Sequence, residues 1–303
     1  MSRPRNDPAF ALLYFAIDKA LADLRVQRPV DTRVHSARKA LKKARAALRL
    51  LRPNLVAGVY ERENIALRDA GRRLSPLRDA KSLVAAVDLL GKPRGAKGPY
   101  ATKIAGLRRA LQRQLAEAWS TYARGAVQSQ CAQLVQSCRE RMLLQERQAT
   151  GTATLLDSLR EIYRKVRNAH ARALAERTPE TLHEWRKQTK YLHTAAAALR
   201  DAGTRDLSSL VKRTGDIAAW LGDDHDLVAL RAAIERAGMA DEAILARIER
   251  RRAKLHGRAL TLGARVLQRK PKRFVASLTA PQARGNGART RSPRKRNPTA
   301  TSA

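Results

Sequence analysis

The chain has 303 residues, 44% of them hydrophobic, which is enough for one large folded core or two smaller ones. Lysine and arginine number 62 against 27 acidic residues, so the formal charge is +35 and a compact state repels itself unless an anionic partner offsets the charge. Aromatic residues make up only 4% of the chain, which argues against a protein that binds single-stranded nucleic acid by base stacking. The candidate partners are duplex nucleic acid, an acidic membrane surface and inorganic polyphosphate, which has no bases.

Apolar residues recur at helical spacing along most of the chain, without a convincing run of alternation, so the sequence predicts an all-α fold. Caps and breakers divide the first half into predicted helices over about 8–27, 31–51, 55–74, 76–90 and 100–145, with a break near Gly125 left open. The second half gives predicted helices over about 152–177, 179–201, 206–221, 224–237 and 240–268. No apolar run reaches about 18 residues, so no membrane-spanning helix is expected.

The two halves look like copies of one ancestral unit. HSARKALKK begins at His35 and HEWRKQTKY begins at His183, 148 positions later, and the pattern of helices and breakers that follows is shared. Each half supplies enough amphipathic helices for a small bundle. The predicted domain covers residues 1–270. Its two repeats cover about 8–147 and about 152–269.

The C-terminal segment differs in composition from the rest. After Glu249 the sequence contains no acidic residue, and from about Pro271 it becomes rich in Arg, Lys, Pro, Ser and Thr. Because such a segment has little apolar surface to bury, we predict a disordered basic tail over 271–303. Its RTRSPRKR stretch resembles basic arms that bind nucleic acid without sequence specificity, which makes duplex DNA an alternative partner.

The repeated frame places cations along one stripe of each of two predicted helices. At about 100° per residue, each stripe lies beside a packed apolar face, which includes Leu41 and Leu48 in the first copy and Trp185 and Leu192 in the second. The two stripes consist of His35, Arg38, Lys42, Arg45, Arg49 and Arg52 in the first copy, and of His183, Arg186, Lys190, His193 and Arg200 in the second.

Two interpretations of the stripes remain open. A basic protein can carry such a stripe as an ordinary solvated face, but a solvated face usually mixes Glu with Lys, and the segment from Arg38 to Arg52 contains no acid. Its repetition favours a groove or pore that holds a chain of phosphates. A lone histidine is usually a packed core residue. The duplicated position favours ligand contact for His35 and His183, and both interpretations stay open for His193.

The sequence GDDHD over 222–226 raises the question of a metal site, since carboxylates and imidazole are suitable ligands for several divalent ions. However, His225 aligns with Arg78 of the first repeat, and arginine does not coordinate metals. The two copies share a cation followed by a carboxylate, Asp79 or Asp226, which we expect to act as a charge clamp at a helix start. We therefore expect no metal and no cofactor, with a metal-dependent phosphohydrolase as the alternative.

The HxxRKxxK frame on a helix, repeated and followed each time by LxxxRD or LGxxHD, resembles the CHAD family, the conserved histidine α-helical domain. The resemblance implies two pseudo-symmetric antiparallel four-helix bundles around a basic groove or pore. It also implies binding of inorganic polyphosphate and residence in the cytoplasm, on polyphosphate granules. The two cysteines, Cys131 and Cys138, are expected to be reduced core residues, which agrees with a cytosolic protein.

The resemblance also implies which residues contact phosphate. Carried over by motif match, they are His35, Arg38, Lys39, Lys42, Arg45, Arg49 and Arg78 in the first repeat, and His183, Arg186, Lys187, Lys190, His193 and His225 in the second. Some relatives carry a fused triphosphate tunnel domain with an ExExK strand. This chain has no such motif, so the resemblance implies a stand-alone, non-enzymatic binding module. Because Ala197 stands where the first repeat has Arg49, unequal contributions from the two repeats are expected.

Overall fold

The computed structural model describes residues 8–26, 31–90, 99–145, 152–201 and 207–279. Within these ranges the chain forms α-helices and no β-strand, which confirms the predicted all-α class. The helices are α1 Pro8–Leu24, α2 Asp31–Leu51, α3 Val59–Arg73, α4 Ser75–Leu89, α5 Pro99–Arg124, α6 Val127–Leu143, α7 Thr152–Glu176, α8 Pro179–Asp201, α9 Ser208–Arg236, α10 Glu242–Val266 and α11 Pro271–Thr279. None of them combines the length and the apolar run that a membrane crossing requires.

Proline and glycine set the helix boundaries in the first repeat. After α2 the chain forms a short 3₁₀ turn at Arg52–Asn54 and then reaches Gly58, whose φ of 81° is a left-handed conformation that glycine adopts at little cost. The sequence predicted that this helix would begin near Leu55. Because of the turn and Gly58, α3 begins at Val59. The break near Gly125 is present, because α5 ends one residue before it.

The predicted break in the second repeat is wrong. Helix α9 is continuous through GDDHD, so His225 and Asp226 lie inside a helix and cannot cap a helix start. Gly222 serves a different purpose, because a Cβ at this position would lie 3.3 Å from Nη2 of Arg186. The glycine lets the guanidinium group of α8 approach the backbone of α9, and the helix tolerates it because both helices pack around it.

Two rings of four helices are present, one in each repeat. In the first repeat, α1 contacts α2 and α6, and α3 contacts the same two helices. In the second repeat, α8 contacts α7 and α9, and α10 contacts the same two helices. Helix α2 also contacts α7 and α8, so the two bundles share one continuous apolar core. This arrangement places the two helices that carry the repeated frame next to each other.

A second core joins the repeats in a way that the sequence analysis did not predict. Helices α4 and α5 of the first repeat pack against the C-terminal part of α9 and the N-terminal part of α10. Val87, Leu107, Leu230 and Ile248 are among its buried side chains. Because four segments from both repeats build this core, α4 and α9 lie side by side.

Helix α11 occupies the first nine residues of the predicted tail. Phe274 is buried, and its ring stacks on that of Tyr163 with 4.0 Å between centroids and 7° between planes. The Tyr163 hydroxyl lies 3.2 Å from the carbonyl oxygens of both Val266 and Arg269, at the turn between α10 and α11. The structure thus differs from the predicted tail boundary at Pro271, because one aromatic anchor orders a segment of otherwise low complexity. Residues 280–303 lie outside the described ranges.

Truncation tests this boundary. Removing residues 280–303 should leave stability unchanged, whereas removing residues 271–303 should lower the free energy of unfolding by about 3 kcal/mol, since the Phe274 ring loses its buried contacts. Urea unfolding followed by circular dichroism measures both. In the full chain, Phe274→Leu should recover part of the stability that Phe274→Ala loses. Equal stability of the two truncated chains would show that α11 does not anchor the fold.

Candidate functional site

The two predicted stripes face each other across the contact between α2 and α8. Their apolar faces are buried as the sequence predicted, with Leu41, Leu48, Trp185 and Leu192 at most 1% exposed. The helices contact each other directly, so the cations beside these faces come close together. The packing of the two copies therefore concentrates positive charge on one side of the contact.

Arg38 begins the α2 stripe and is held by neutral groups. One of its guanidinium nitrogens, Nη1, donates to the Gly71 carbonyl at 2.6 Å and lies 2.8 Å from the Ser75 hydroxyl. These partners lie where α3 ends and α4 begins. Burial is the main cause that lowers the pKa of Arg38, Asp79 opposes the shift, and nearby Arg78 adds to it. The hydrogen bonds that fix the side chain come from neutral groups, so they do not cancel its charge.

The next two arginines of α2 are oriented in the same way. Arg45 donates from Nε to the side-chain oxygen of Asn64 at 2.9 Å. The guanidinium carbon of Arg49 lies 3.5 Å from the ring centroid of Tyr191 on α8, which is cation–π distance. Nη1 of Arg49 is buried and has no hydrogen-bond partner among the described residues. Neutral amide and aromatic groups thus position both cations and leave their charge available.

Several other arginines are held by acidic side chains, among them Arg33 on α2, which pairs with Asp23 at 3.0 Å. Arg141 forms two 2.8 Å hydrogen bonds to the carboxylate of Glu63, which also accepts from Arg62. Arg139 lies 2.6 Å from Asp18. Ion pairs of this kind neutralise charge. Arg38, Arg45 and Arg49 are instead held by neutral groups, whereas Arg52 at the end of the predicted stripe pairs with Glu61.

Lys42 and Lys190 occupy matching places in the two repeats and are close enough to affect each other. Burial, followed by Arg186, Lys42 and Arg78, lowers the pKa of Lys190 to about 7. Burial, followed by Arg38, Arg78 and Arg186, lowers the pKa of Lys42 to about 8, although its side chain keeps access to solvent. We call Arg38, Lys42, Arg78, Arg186 and Lys190 the central cationic cluster. Its like charges raise the free energy of the unliganded protein and favour an anion.

Arg78 connects the two repeats. Its Nη1 lies 3.3 Å from Asp79, and its Nη2 lies 3.4 Å from Asp226 on α9. The matched pairs predicted from the repeat, Arg78-Asp79 and His225-Asp226, therefore meet in space. Arg78 thus joins α4 to α9, which the second core holds together, but Asp226 lies inside α9 and not at a helix start, where the charge clamp was expected.

Arg186 lies against the backbone of α9 at Gly222, and its Nε is buried with no hydrogen-bond partner in the described part of the chain. Burial lowers its pKa, although Asp226 and Asp223 oppose the shift. Burial raises the pKa of Asp223, and the neighbouring Asp226 adds to the shift. The unpaired Nε is a donor available to an anion that enters the cluster.

His183 on α8 and His225 on α9 are neighbours, with 4.8 Å between ring centroids. Burial lowers the pKa of both, and Arg186 is the next cause in each case. Each neutral ring offers one N–H donor, and a bound polyanion would favour the doubly protonated form. Within the described residues, no three His, Cys, Asp or Glu side chains gather closely enough to hold a metal ion.

The other predicted residues lie outside the cluster. His35 is exposed one turn before Arg38, and Lys39 is exposed about 100° further round α2. Lys187 forms an ion pair with Glu184, its neighbour one turn earlier on α8. Nδ1 of His193 lies 2.9 Å from the carbonyl oxygen of Val211 on α9. This contact favours the packed interpretation of His193 that the sequence left open.

Several residues that shape the site were not predicted. Asn64, Ser75 and Tyr191 orient the α2 arginines, and Asp223 lies beside Arg186. Only Tyr191 had a signal in the sequence, since it follows Lys190 at the end of the repeated frame. The others come from helices whose placement against α2 and α8 depends on tertiary packing.

Comparisons with known proteins agree on the architecture. A family model described as the CHAD domain matches residues 15–235. The solved structure of PptA from Streptomyces chartreusis has a TM-score of 0.61 and 15% identity, covering 86% of this chain and 96% of its own. The crystal structure of the CHAD domain from the plant Ricinus communis has a TM-score of 0.58 and 16% identity, covering 86% and 90%. At these identities the likeness shows a shared fold, and no curated protein matches the chain in sequence.

Proposed function

This chain belongs to the CHAD-domain family, and we propose that it binds inorganic polyphosphate at the central cationic cluster between α2 and α8. The observation that carries the proposal is the way the cations are held. Arg38, Arg45 and Arg49 are oriented by a carbonyl, an amide and an aromatic ring, while Lys42 and Lys190 have pKa values lowered by burial and neighbouring cations. A polyanion relieves this repulsion and forms charge-assisted hydrogen bonds.

The burial of the cations favours a thin ligand. Arg38, Arg45, Arg186 and Lys190 are half-buried, so a ligand must reach between helices to contact them. Arg38 and Arg49 are separated by about 17 Å along α2, which is a distance over which several successive phosphates can bind. A linear phosphate chain without sugars or bases fits this arrangement better than a duplex, whose phosphates lie on the outside of a wide cylinder.

The histidines have a supporting role in this proposal. His183 and His225 stand beside Arg186, so their N–H groups can donate to a phosphate held by that arginine. Because burial lowers their pKa, each gains a proton more readily when a phosphate supplies negative charge. We further propose a cytoplasmic location on polyphosphate granules, which the family membership and the free, buried thiols of Cys131 and Cys138 support.

The proposal includes binding without turnover. Arg78 takes the place of His225 in the first repeat, and the described residues offer no cluster for a metal. Purified protein with Mg²⁺ or Mn²⁺ should therefore neither shorten polyphosphate nor hydrolyse nucleoside triphosphates, as measured by phosphate release and gel mobility. Metal-dependent turnover that disappears in Asp226→Asn would establish the phosphohydrolase alternative instead.

Polyphosphate affinity should fall as pH rises. In the free protein Lys190 and Lys42 lose their protons near pH 7 and pH 8, so binding above these values requires proton uptake. Between pH 6.5 and pH 9 we expect affinity to weaken by at least about tenfold at constant ionic strength. Isothermal titration measures the effect, and Lys42→Arg with Lys190→Arg should flatten the profile because arginine stays charged. A flat profile in the unmodified protein would contradict the proposal.

The stability of the unliganded protein should change in the opposite direction. Both lysines have folded-state pKa values below their usual 10.5, so the unfolded chain binds more protons between pH 7 and pH 10. The contribution of these two lysines to the free energy of unfolding therefore rises as the pH increases from 7 to 10. The opposite slopes of affinity and stability distinguish this cluster from cations with ordinary pKa values.

A further inference from the structure

A second group of cations lies on α10, a helix that begins after the residues that the family model matches. They line a cavity of about 480 Å³ between the C-terminal end of α4 and one face of α10. Its lining consists of Asp88, Leu89, Leu90, Arg247, Arg250, Arg251 and Lys254. This cavity contains none of the residues of the central cationic cluster.

The four cations of the cavity outnumber the acids near them: Asp88 lines the cavity, and Asp223 interacts electrostatically with Arg251. The cations stand three and four positions apart on α10, where like charges destabilise a helix. None of them forms an ion pair with a described residue. The single acid of the lining, Asp88, lies 2.8 Å from Arg108 outside the cavity. Glu249 of α10 pairs with Arg231 and Arg252 on the other side of the helix.

Hydrogen-bond donors in and beside the cavity are also unsatisfied. Nε of Arg251 is buried without a hydrogen-bond partner among the described residues, and so is the hydroxyl of Tyr100 on α5. Tyr100 is in electrostatic contact with Arg247 and Arg250. Arg247 donates from Nε to the carbonyl of Leu90, which fixes its position at the end of α4. Buried donors without partners are rare in native proteins, and an anion bound in the cavity would satisfy Nε of Arg251.

We propose that this cavity is a separate binding site for a compact phosphate anion, of which pyrophosphate is the simplest example. Three guanidinium groups and one ammonium group suit a small ligand with several charged oxygens, because guanidinium binds phosphate oxygens in pairs. Asp223 interacts electrostatically with both Arg251 and Arg186, so one carboxylate lies near both this cavity and the central cluster. That charge opposes a continuous phosphate chain through both sites. The inference stands whether or not the central cluster binds polyphosphate.

Titration with pyrophosphate tests the site on the full chain. In a background of Lys42→Glu with Lys190→Glu, which removes the central cluster as a binder, we expect one remaining site for pyrophosphate. Adding Arg251→Gln with Lys254→Gln should weaken this binding by at least about tenfold. The matched control is Arg258→Gln with Arg265→Gln, two exposed arginines of the same helix outside the cavity, and it should leave binding unchanged. Equal effects of the cavity and control variants would overturn the proposal.

Chemical labelling of the unmodified protein tests the site even if the variants fail to fold. Lys254 is exposed, so amine acylation followed by mass spectrometry reports its accessibility. Saturating pyrophosphate should slow acylation of Lys254 by at least about fivefold, whereas exposed Lys165 on α7 should react at an unchanged rate. Citrate serves as a carboxylate of comparable charge. Unprotected Lys254, or equal protection by citrate, would contradict a phosphate site.

Discussion

Lys42→Glu with Lys190→Glu should abolish polyphosphate binding near physiological ionic strength, about 0.15 M. Each reversal removes a charge-assisted phosphate contact and places an anion in the cluster, which together should cost several kcal/mol, on the order of 3 or more, in a partly desolvated site. Lys42 and Lys190 belong to different repeats, so the loss of polyphosphate binding also tests whether α2 and α8 act together. Isothermal titration with polyphosphate measures it.

The matched control keeps the charge change and moves it away from the site. Lys43→Glu with Lys212→Glu alters two exposed lysines on α2 and α9, and either double variant lowers the formal charge by four, from +35 to +31. The control should weaken polyphosphate binding only modestly, because exposed charges are screened by salt. Similar losses in both variants would show that bulk charge is responsible.

Deletion of residues 280–303 separates the cluster from the basic tail. The deletion removes six cations and no acid, which is a larger charge change than either double reversal. Polyphosphate binding should weaken only slightly, whereas duplex DNA, the alternative partner, should lose more affinity on tail deletion than on reversal of Lys42 and Lys190. If the deletion is the more damaging change for polyphosphate, the DNA-binding alternative is preferred.

Gly263→Ala should destabilise the protein by about 3 kcal/mol, at the upper end of overpacking effects. A Cβ at this position would lie 2.6 Å from Cζ2 of Trp185 and 2.9 Å from Cδ2 of His170. Trp185 is fully buried, and its ring meets that of His170 edge-on with 4.8 Å between centroids. Neither rigid ring can turn away without moving α8 or α7 relative to α10.

The control for this variant lies on the same helix. A Cβ at Gly257 of α10 would meet no atom of the described residues within 4 Å, so Gly257→Ala should stabilise the helix by up to about 1 kcal/mol. Urea unfolding of both variants measures the difference. Because Trp185 precedes Arg186 on α8, Gly263→Ala should also weaken polyphosphate binding. A loss no larger than that of an ordinary surface substitution would show that α10 does not pack closely against Trp185.

The stripes of α2 and α8 could be predicted because helical periodicity alone decides which side chains share a face. The same argument identified the buried positions of Leu41 and Trp185, and the repeat identified Arg78 as the counterpart of His225. These conclusions depend on local spacing and on comparison within the chain. They need no knowledge of how distant helices meet.

The errors have tertiary causes. Gly222 looks like a helix breaker in the sequence, but packing of Arg186 against it keeps α9 continuous. The segment after Pro271 looks like a disordered tail because of its composition, yet a single ring, Phe274, finds a stacking partner 111 positions earlier in Tyr163. In both cases a contact with another helix outweighs the local preference.

Local sequence patterns also could not predict how the two repeats pack against each other. Treating each half as its own bundle left α4 and α5 in the first repeat, whereas the structure packs α4 on α9 and joins α4 and α5 to α9 and α10 in one apolar core. The neutral partners Asn64 and Tyr191, which leave the arginine charges available, follow from this kind of interhelical placement. The sequence could therefore predict which cations would share a stripe, but not that neutral groups would orient them.

The central proposal is that phosphates bind between α2 and α8, where neutral groups hold Arg38 and where burial and neighbouring cations lower the pKa of Lys42 and Lys190. A crystal structure of the protein with a polyphosphate of defined length tests it most directly. We expect density for successive phosphates within hydrogen-bond distance of Lys42, Lys190 and Arg186, with Arg38 still bound to the Gly71 carbonyl. Phosphate density confined to other basic surfaces, with no phosphate at Lys42 or Lys190, would contradict the account.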